Sequence, residues 1–240
     1  MTPPRSLSPS YRLAERIVRP PLTHLTRRDW RGVDHLPKDG GFVVCCNHLS
    51  YLDPFTLAHF LFDGGSPPRF LAKDSLFRIP LLGRIVRGAG QIPVFRDSVD
   101  AGKAFSAAVT AVEAGECVVV YPEATLTRDP DLWPMAGKSG AARIALMTGA
   151  PVIPVAQWGV QEIFPPYGKH LHLLPRKVVH VWAGPPVDLS RFASPRLDAP
   201  TLRDATGTIL DAVTGLLEGI RGEPRPARRW DPRRHGPERA

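Results

Sequence analysis

Six short apolar runs constrain this chain more than any other feature of its sequence: FVVCC (42–46), RFLA (69–72), QIPVF (91–95), CVVVY (117–121), PVIPVA (151–156) and VVHVW (178–182). They are rich in β-branched side chains and mostly continuous rather than alternating. A strand with one face in water alternates apolar and polar residues, so a continuous run needs cover on both faces, as in a parallel sheet between layers of helix. The intervening segments supply such helices. Residues 98–114 put Ala101, Ala104, Phe105, Ala108, Val109 and Val112 on one helical face, with Ser98 as an N-cap and Gly115 to stop the helix. Residues 137–150 repeat the pattern up to Gly149, and Leu202, Ala205, Ile209, Val213, Leu216 and Ile220 mark a last amphipathic helix. The predicted fold is α/β: a single domain with a largely parallel central sheet flanked by helices.

Length and composition limit what else the chain can be. With 240 residues, 43% of them hydrophobic, it can build one sizeable core and not two. Its 27 prolines and 21 glycines lie between the apolar runs, where they mark tight connections and exclude a collagen-like or low-complexity chain. No stretch approaches the ~18 consecutive apolar residues of a membrane-spanning helix. The opening MTPPRSLSPSYRLAERIVRPP has arginines where a secretory signal has its apolar core, so neither an integral nor an exported protein is expected. Cys45, Cys46 and Cys117 sit inside apolar runs and are expected to be buried reduced thiols, which points to a cytoplasmic compartment.

The formal charge of +8 is concentrated at the ends. Residues 1–31 hold seven arginines against Glu15 and Asp29, and residues 221–240 hold seven against Glu223, Asp231 and Glu238. These two excesses together exceed the total, so the stretch between carries a slight negative balance. Three regions follow: a basic amphipathic N-terminal arm (1–31), a core domain (32–220) and an Arg/Pro-rich tail (221–240) that lacks periodicity and reads as disordered. In the arm, Tyr11, Ala14, Ile17 and Val18 are expected to line one side of a short helix opposite Arg12, Arg16 and Arg19, with Leu22, Leu25 and Trp30 after Pro20-Pro21. An interfacial anchor on an anionic membrane surface has this composition.

Three segments can carry chemistry. In CCNHLSYLDPF a buried strand runs out into a polar turn, and in open α/β sheets ligands bind at the carboxyl ends of strands. Asp53, five residues after His48, can accept one imidazole N–H and leave the other nitrogen as a general base; equally, Asp53 can cap a helix that begins at Pro54. In VVVYPEATLTRDP a second strand ends at Tyr121-Pro122 and delivers Glu123, Ala124 and Thr125 to the same kind of position. Residues 69–96 hold Arg69, Lys73, Arg78, Arg84, Arg87 and Arg96 against Asp74 alone, an excess suited to phosphate oxygens.

NHLSYLD, GQIPVFR, YPEAT and PVIPV, in this order and at these separations, resemble the four sequence blocks of the 1-acylglycerol-3-phosphate O-acyltransferase (PlsC-type) family of glycerolipid acyltransferases. The resemblance covers residues 32–185. It implies the glycerolipid acyltransferase fold, a catalytic dyad of His48 and Asp53, binding of the glycerol phosphate by Arg96 and Glu123, and an acyl and acceptor site near Val152-Ile153-Pro154-Val155. Lys73 and Lys138 stand where such enzymes have lysines, and Ala124 and Thr125 complete the third block. That block departs from Glu-Gly-Thr-Arg: Ala124 replaces the glycine, which adopts positive φ more freely, and Leu126 replaces the arginine, with Arg128 two residues on.

The implied activity is transfer of an acyl chain from an acyl thioester to the free hydroxyl of a lysophospholipid, 1-acylglycerol-3-phosphate above all, giving phosphatidic acid. A thioester is already activated, so His48 need only take the hydroxyl proton; no cofactor or metal is expected, acyl-CoA or acyl-carrier protein being the donor substrate. Glycerol-3-phosphate or another lysolipid is the alternative acceptor. The implied location is cytoplasmic, peripheral on the cytoplasmic face of the membrane. Two other classes stay open. Asn47-His48 with His170-Leu171-His172 suggests a metal-dependent phosphoesterase, although Asp34-His35 is wrongly spaced for ligation from one strand face. Arg-rich tails suggest nucleic acid, yet no helix-turn-helix, zinc-finger or stacking-aromatic motif accompanies them, and no nucleic-acid partner is expected.

Overall fold

The computed structural model describes residues 7–94, 101–194 and 196–235. Seven strands form one sheet: β1 (Thr26–Arg31), β2 (Phe42–Cys46), β3 (Pro68–Lys73), β4 (Ile92–Val94), β5 (Cys117–Val120), β6 (Val152–Trp158) and β7 (Lys177–Ala183). Their order is β1-β7-β6-β2-β5-β3-β4. The six predicted apolar runs are β2 to β7. Pairing is parallel except that β7 runs antiparallel to β6. The helices are α1 (Pro9–Leu25), α2 (Asp53–Asp63), α3 (Leu82–Gly88), α4 (Ala101–Glu113), α5 (Gly140–Thr148), α6 (Ala199–Arg221) and the short α7 (Pro232–His235). The three helices predicted from periodicity are α4, α5 and α6; Ser98, the predicted N-cap of α4, lies outside the described residues.

β2 shows why its sequence is continuously apolar. Val43 and Cys45 belong to the core formed with α4, α5 and α6, whereas Phe42, Val44 and Cys46 belong to the opposite core, with Leu57, Phe60 and Leu61 of α2. Both faces are covered, and each such Val, Leu or Phe contributes roughly 1.5–3 kcal/mol by leaving water. The strand enters this sandwich through Gly41, where a Cβ would stand 1.9 Å from the carbonyl oxygen of Val112.

Both termini depart from the sequence reading. Residues 26–31, assigned to the arm, form edge strand β1, whose Asp29 accepts hydrogen bonds from His180 Nδ1 (2.7 Å) and Trp182 Nε1 (3.1 Å) of β7. Helix α1 continues through Pro20 and Pro21, although each proline lacks the N–H that a helix interior requires. Packing holds it there: Tyr11 stacks on Phe62 of α2, Ser8 Oγ donates to Gly88 O (2.6 Å), and Arg19 pairs with Asp63 (2.9 Å). Arg19, expected opposite the apolar side, therefore faces the domain with Tyr11, and Ile17, expected on the apolar side, is 57% exposed beside Arg16. The C-terminal stretch read as disordered is placed against the domain as far as residue 235. Trp230 O accepts from Ala136 N (2.8 Å) and Arg229 pairs with Asp211 (2.8 Å).

A methyl group at Gly41 must displace backbone on both the β2 and α4 sides. Gly41→Ala is expected to destabilise the domain by about 1–3 kcal/mol, the usual cost of overpacking. Urea unfolding followed by far-UV circular dichroism measures it.

Candidate active site

The carboxyl ends of β2, β5 and β6, the central strands of the sheet, bring the candidate residues together. After β2 the chain makes a tight turn over residues 47–52 into α2. Asp53 is not the helix cap that the sequence allowed: Leu52 occupies the cap position, and its side chain makes no capping bond. Asp53 instead sits in the first turn and directs its carboxylate back into the loop. Its Oδ2 accepts from His48 Nδ1 (2.9 Å), Leu49 N (2.5 Å) and Ser50 N (2.8 Å). The Asp53 side chain is completely buried, while that of His48 is 16% exposed. A carboxylate can only accept, so Nδ1 carries the proton and Nε2 keeps its lone pair for a partner outside the loop. The imidazole lies flat on Tyr121, with ring centroids 4.2 Å apart, and Tyr121 is stacked in turn on Phe70. Burial pushes the Tyr121 hydroxyl well up, so it stays protonated.

A second buried network fixes the strand ends below the turn. Asn47 and Gln157 pair across the β2–β6 junction: Asn47 Nδ2 donates to Gln157 O (3.0 Å) and Gln157 N donates to Asn47 Oδ1 (2.8 Å). Thr56 of α2 donates to Gln157 Oε1 (2.6 Å), and Gln157 Nε2 donates to Cys46 Sγ (3.4 Å). Cys46 is fully buried, and desolvation drives its thiol well above the ordinary range, so it faces this network as a neutral thiol.

Glu123, which the family resemblance links to the glycerol phosphate, is engaged within the protein through both of its oxygens. Its carboxylate is buried and accepts from His48 N (3.0 Å) through one oxygen and from Met135 N (2.9 Å) through the other. It braces the His48 turn against the 125–136 loop. Burial raises its pKa to about 8, against those two backbone hydrogen bonds. Thr127 N adds a bond to His48 O (2.8 Å), so the backbone of His48 is held on both sides from the β5 loop.

Ala124 does adopt the conformation that glycine favours, at φ = 60°. The left-handed region costs an L-residue roughly 1–2 kcal/mol. Anchoring on either side holds it there: Ala124 N donates to Tyr121 O (3.0 Å), and Tyr167 Oη donates to Leu126 O (3.0 Å) while lying 3.4 Å from Thr125 Oγ1. Leu126 itself is buried, and Arg128 is exposed.

The basic stretch 69–96 divides. Arg69 pairs with Glu116, Arg78 with Asp74, and Arg87 donates to Phe77 O, so these three serve the local structure. Lys73 and Arg84 are exposed, Lys73 at the carboxyl end of β3. Arg96 lies outside the described residues, two positions beyond Val94, whose Cα pairs with that of Lys73. Lys138 is exposed, and its backbone N–H holds Pro122 O (2.8 Å). Among the described residues no group of three or more His, Cys, Asp or Glu side chains is placed to hold a metal ion. The sequence reading passed over Gln157 and took Tyr121 only as a strand end, yet each is a polar residue at the end of an apolar run, and that is the signal that marks them.

A family model described as Acyltransferase matches residues 27–158, from β1 to the last residue of β6, a span that includes His48, Asp53, Glu123 and Gln157. The chain belongs to this acyltransferase family. A 1-acyl-sn-glycerol-3-phosphate acyltransferase of Borreliella burgdorferi is 26% identical over 191 residues, which are 79% of this chain and 71% of the relative. One of Brassica napus is 33% identical over 141 residues, 58% of this chain, and the chain spans only 39% of that relative's length. The crystal structure of PlsC, the 1-acyl-sn-glycerophosphate acyltransferase of Thermotoga maritima, superposes with a TM-score of 0.68 at 23% identity, covering 90% of this chain and 81% of that one. That match shows the shared α/β fold.

Two outcomes follow from this family member's third block. Ala124→Gly relieves the backbone strain and should stabilise the protein by about 1 kcal/mol, read as a shifted urea midpoint. For Glu123 the folded pKa of about 8 stands above the ordinary carboxyl value of 4.5. Its contribution is therefore fully present below pH 4.5 and is lost as the pH rises through 8, because the unfolded chain gains the charged form first. Unfolding free energies at intervals across that window should fall less for Glu123→Gln than for the parent. Parallel profiles would show that Glu123 does not titrate there.

Proposed function

We propose that this acyltransferase family member moves an acyl group from an acyl thioester to the free hydroxyl of 1-acylglycerol-3-phosphate, forming phosphatidic acid. One observation carries the reading: His48 is held by Asp53 at Nδ1 and leaves Nε2 available at the open end of the sheet. In this scheme Nε2 takes the proton of the acceptor hydroxyl as its oxygen attacks the thioester carbonyl. The C–O bond forms, the C–S bond breaks through a tetrahedral oxyanion, and the thiolate leaves with a proton from the imidazolium. Asp53, bonded to Nδ1–H, stabilises the imidazolium between the two steps. General-base catalysis of this kind contributes on the order of 10²–10⁴-fold. Because the Asp53 and Glu123 carboxylates hold the turn before substrate arrives, the base needs no rearrangement to act.

Lys73, exposed at the carboxyl end of β3, is one reason to propose a phosphorylated acceptor. Lys73 and Arg96 are the proposed phosphate ligands, Thr125 and Lys138 line the approach from the β5 side, and Glu123 and Ala124 act through the shape of the loop. Names of the relatives from Borreliella burgdorferi and Brassica napus point to the same acceptor, 1-acyl-sn-glycerol-3-phosphate. The exposed face of α1, with Arg12, Leu13, Arg16 and Ile17, suits an anionic lipid surface, and no described helix is long and apolar enough to cross a membrane. The proposed location is accordingly peripheral, on the cytoplasmic face of the membrane, with this side of α1 against the lipid.

Offering one acyl-CoA to a panel of lysophosphatidate, glycerol-3-phosphate and uncharged lysolipids, with products weighed by mass spectrometry, tests the acceptor. His48→Ala should lower turnover at least about 10²-fold with an unchanged unfolding midpoint. Cys46→Ala should stay active, since its thiol is buried behind the turn and kept neutral. An acyl adduct on Cys46, or substantial turnover in His48→Ala, would reject the direct general-base route.

A further inference from the structure

The carboxyl edge of the sheet carries two exposed apolar tips that neither the core nor the catalytic turn accounts for. One lies in the 163–177 segment between β6 and β7, where Leu171 and Leu174 are 55% and 78% exposed. The other lies between β3 and α3, where Ile79 and Leu81 are 45% and 68% exposed. Leu81 is held at φ = 64°, a left-handed conformation that a leucine adopts only at a cost. Leu82 N closes that turn on Pro80 O (2.8 Å) and so fixes its shape, but nothing covers the leucine itself; apolar side chains left in water together at one edge are the mark of a contact made elsewhere.

Topology sets the two tips on either side of the active site. In the order β1-β7-β6-β2-β5-β3-β4, the His48 turn follows central β2; the 163–177 segment leaves β6 towards one edge, and residues 74–81 leave β3 towards the other. The first tip is joined to the mouth by contact: Tyr167 hydrogen-bonds Leu126 O, and Phe164 packs 5.9 Å from Tyr51 of the catalytic turn. Charge completes the pattern. Segment 163–177 has no acidic residue and contains Lys169 and Lys177 besides Arg176, whose guanidinium donates to Thr23 O (3.1 Å) and Thr26 O (2.7 Å), and Lys73 and Arg84 lie exposed about the second tip. Leucines rimmed by cations, on both sides of one opening, match a lipid surface with anionic headgroups.

We propose that these two tips are a bilayer-docking surface that seats the mouth of the active site on an anionic membrane. The proposal rests on the acyl-transfer reading only for its purpose, delivery of a membrane-held acceptor to His48; the docking itself is a property of the surface. It extends beyond the arm helix α1, since each tip belongs to the core domain and lies at the carboxyl edge of the sheet, one on either side of the β2 turn.

The test uses the full chain with vesicles of phosphatidylcholine alone or mixed with phosphatidylglycerol. All three native cysteines are buried, so L174C can be labelled alone with an environment-sensitive dye. Its emission should shift to the blue on mixing with the anionic vesicles and much less with the neutral ones. Leu81→Ser and Leu174→Ser should each weaken sedimentation with anionic vesicles about tenfold, and the double variant about a hundredfold, from the loss of leucine burial. Unfolding midpoints should stay unchanged, as should turnover on a short-chain, water-soluble acceptor, whereas turnover on vesicle-held acceptor falls. A dye that does not respond to anionic vesicles, or a double variant that sediments like the parent, overturns the proposal. So does a lipid-independent dimer that Leu174→Ser dissociates, which would make a second copy the occupant. If the parent transfers no acyl group to any acceptor, the acyl-transfer reading fails while the dye and sedimentation arms still decide the docking.

Discussion

Asp53 Oδ2 accepts three N–H groups, and the geometry of the His48 turn depends on that one atom. Two of the donors, Leu49 N and Ser50 N, are backbone and shape the turn; the third, His48 Nδ1, orients the ring. Removing the carboxylate would therefore free the tautomer of His48 and unlock the loop that carries it. Hydrogen bonds to an ionised acceptor are each stronger than neutral ones, and here they form in a fully buried place where water cannot compete. A conserving change such as Asp53→Asn keeps the shape of the side chain but turns one of its two acceptors into a donor, so at least one of the three N–H groups then meets a less basic partner.

Glu123 does for the backbone of His48 what Asp53 does for its ring. The two carboxylates approach the same residue from different elements, one from α2 and one from the β5 loop, and they differ in cost. Glu123 accepts only two backbone N–H groups in a desolvated site, and burial outweighs them, so its pKa rises to about 8. A buried acid held near neutrality of charge is a brace with a pH-dependent grip. It ties the position of His48 to the 125–136 loop, and through Ala136 to the C-terminal segment at Trp230.

The parts of the fold and site that can be read from sequence are those set by local pattern. β2, β5 and β6 announce themselves because strands covered on both faces must be continuously apolar, β3, β4 and β7 are marked by short apolar runs although their cover is partial or alternating, and His48 with Asp53 is visible because both lie within one turn. β1 was not visible: TRRDWR is an edge strand whose apolar content is low and whose pairing with β7 depends on residues 150 positions away, such as Asp29 with His180 and Trp182. The course of α1 was hidden for a similar reason, since Pro20 and Pro21 argue locally for an end that packing on α2 and α3 overrides. Charge misled most. Counting cations over 69–96 does not reveal that Arg69 is spent on Glu116 and Arg78 on Asp74. A carboxylate in a family block likewise reads the same whether it faces a ligand or, like Glu123, a pair of backbone amides.

The contrast between Glu123 and Ala124 explains how one loop can be rigid in its chemistry and tolerant in its sequence. A glycine at position 124 would reach φ = 60° without strain, so alanine there loses stability. What keeps the loop in place nonetheless is the number of long-range bonds to its neighbours: Glu123 to His48 and Met135, Thr127 to His48, Leu126 to Tyr167. Each joins a different element to the mouth of the site, so the strain at one residue is spread over contacts that β2, β5 and the 163–177 segment all supply. The Tyr167 contact has a further consequence. It couples the loop behind His48 to the segment bearing Leu171 and Leu174, so that a displacement of that segment bears on the same backbone that holds His48.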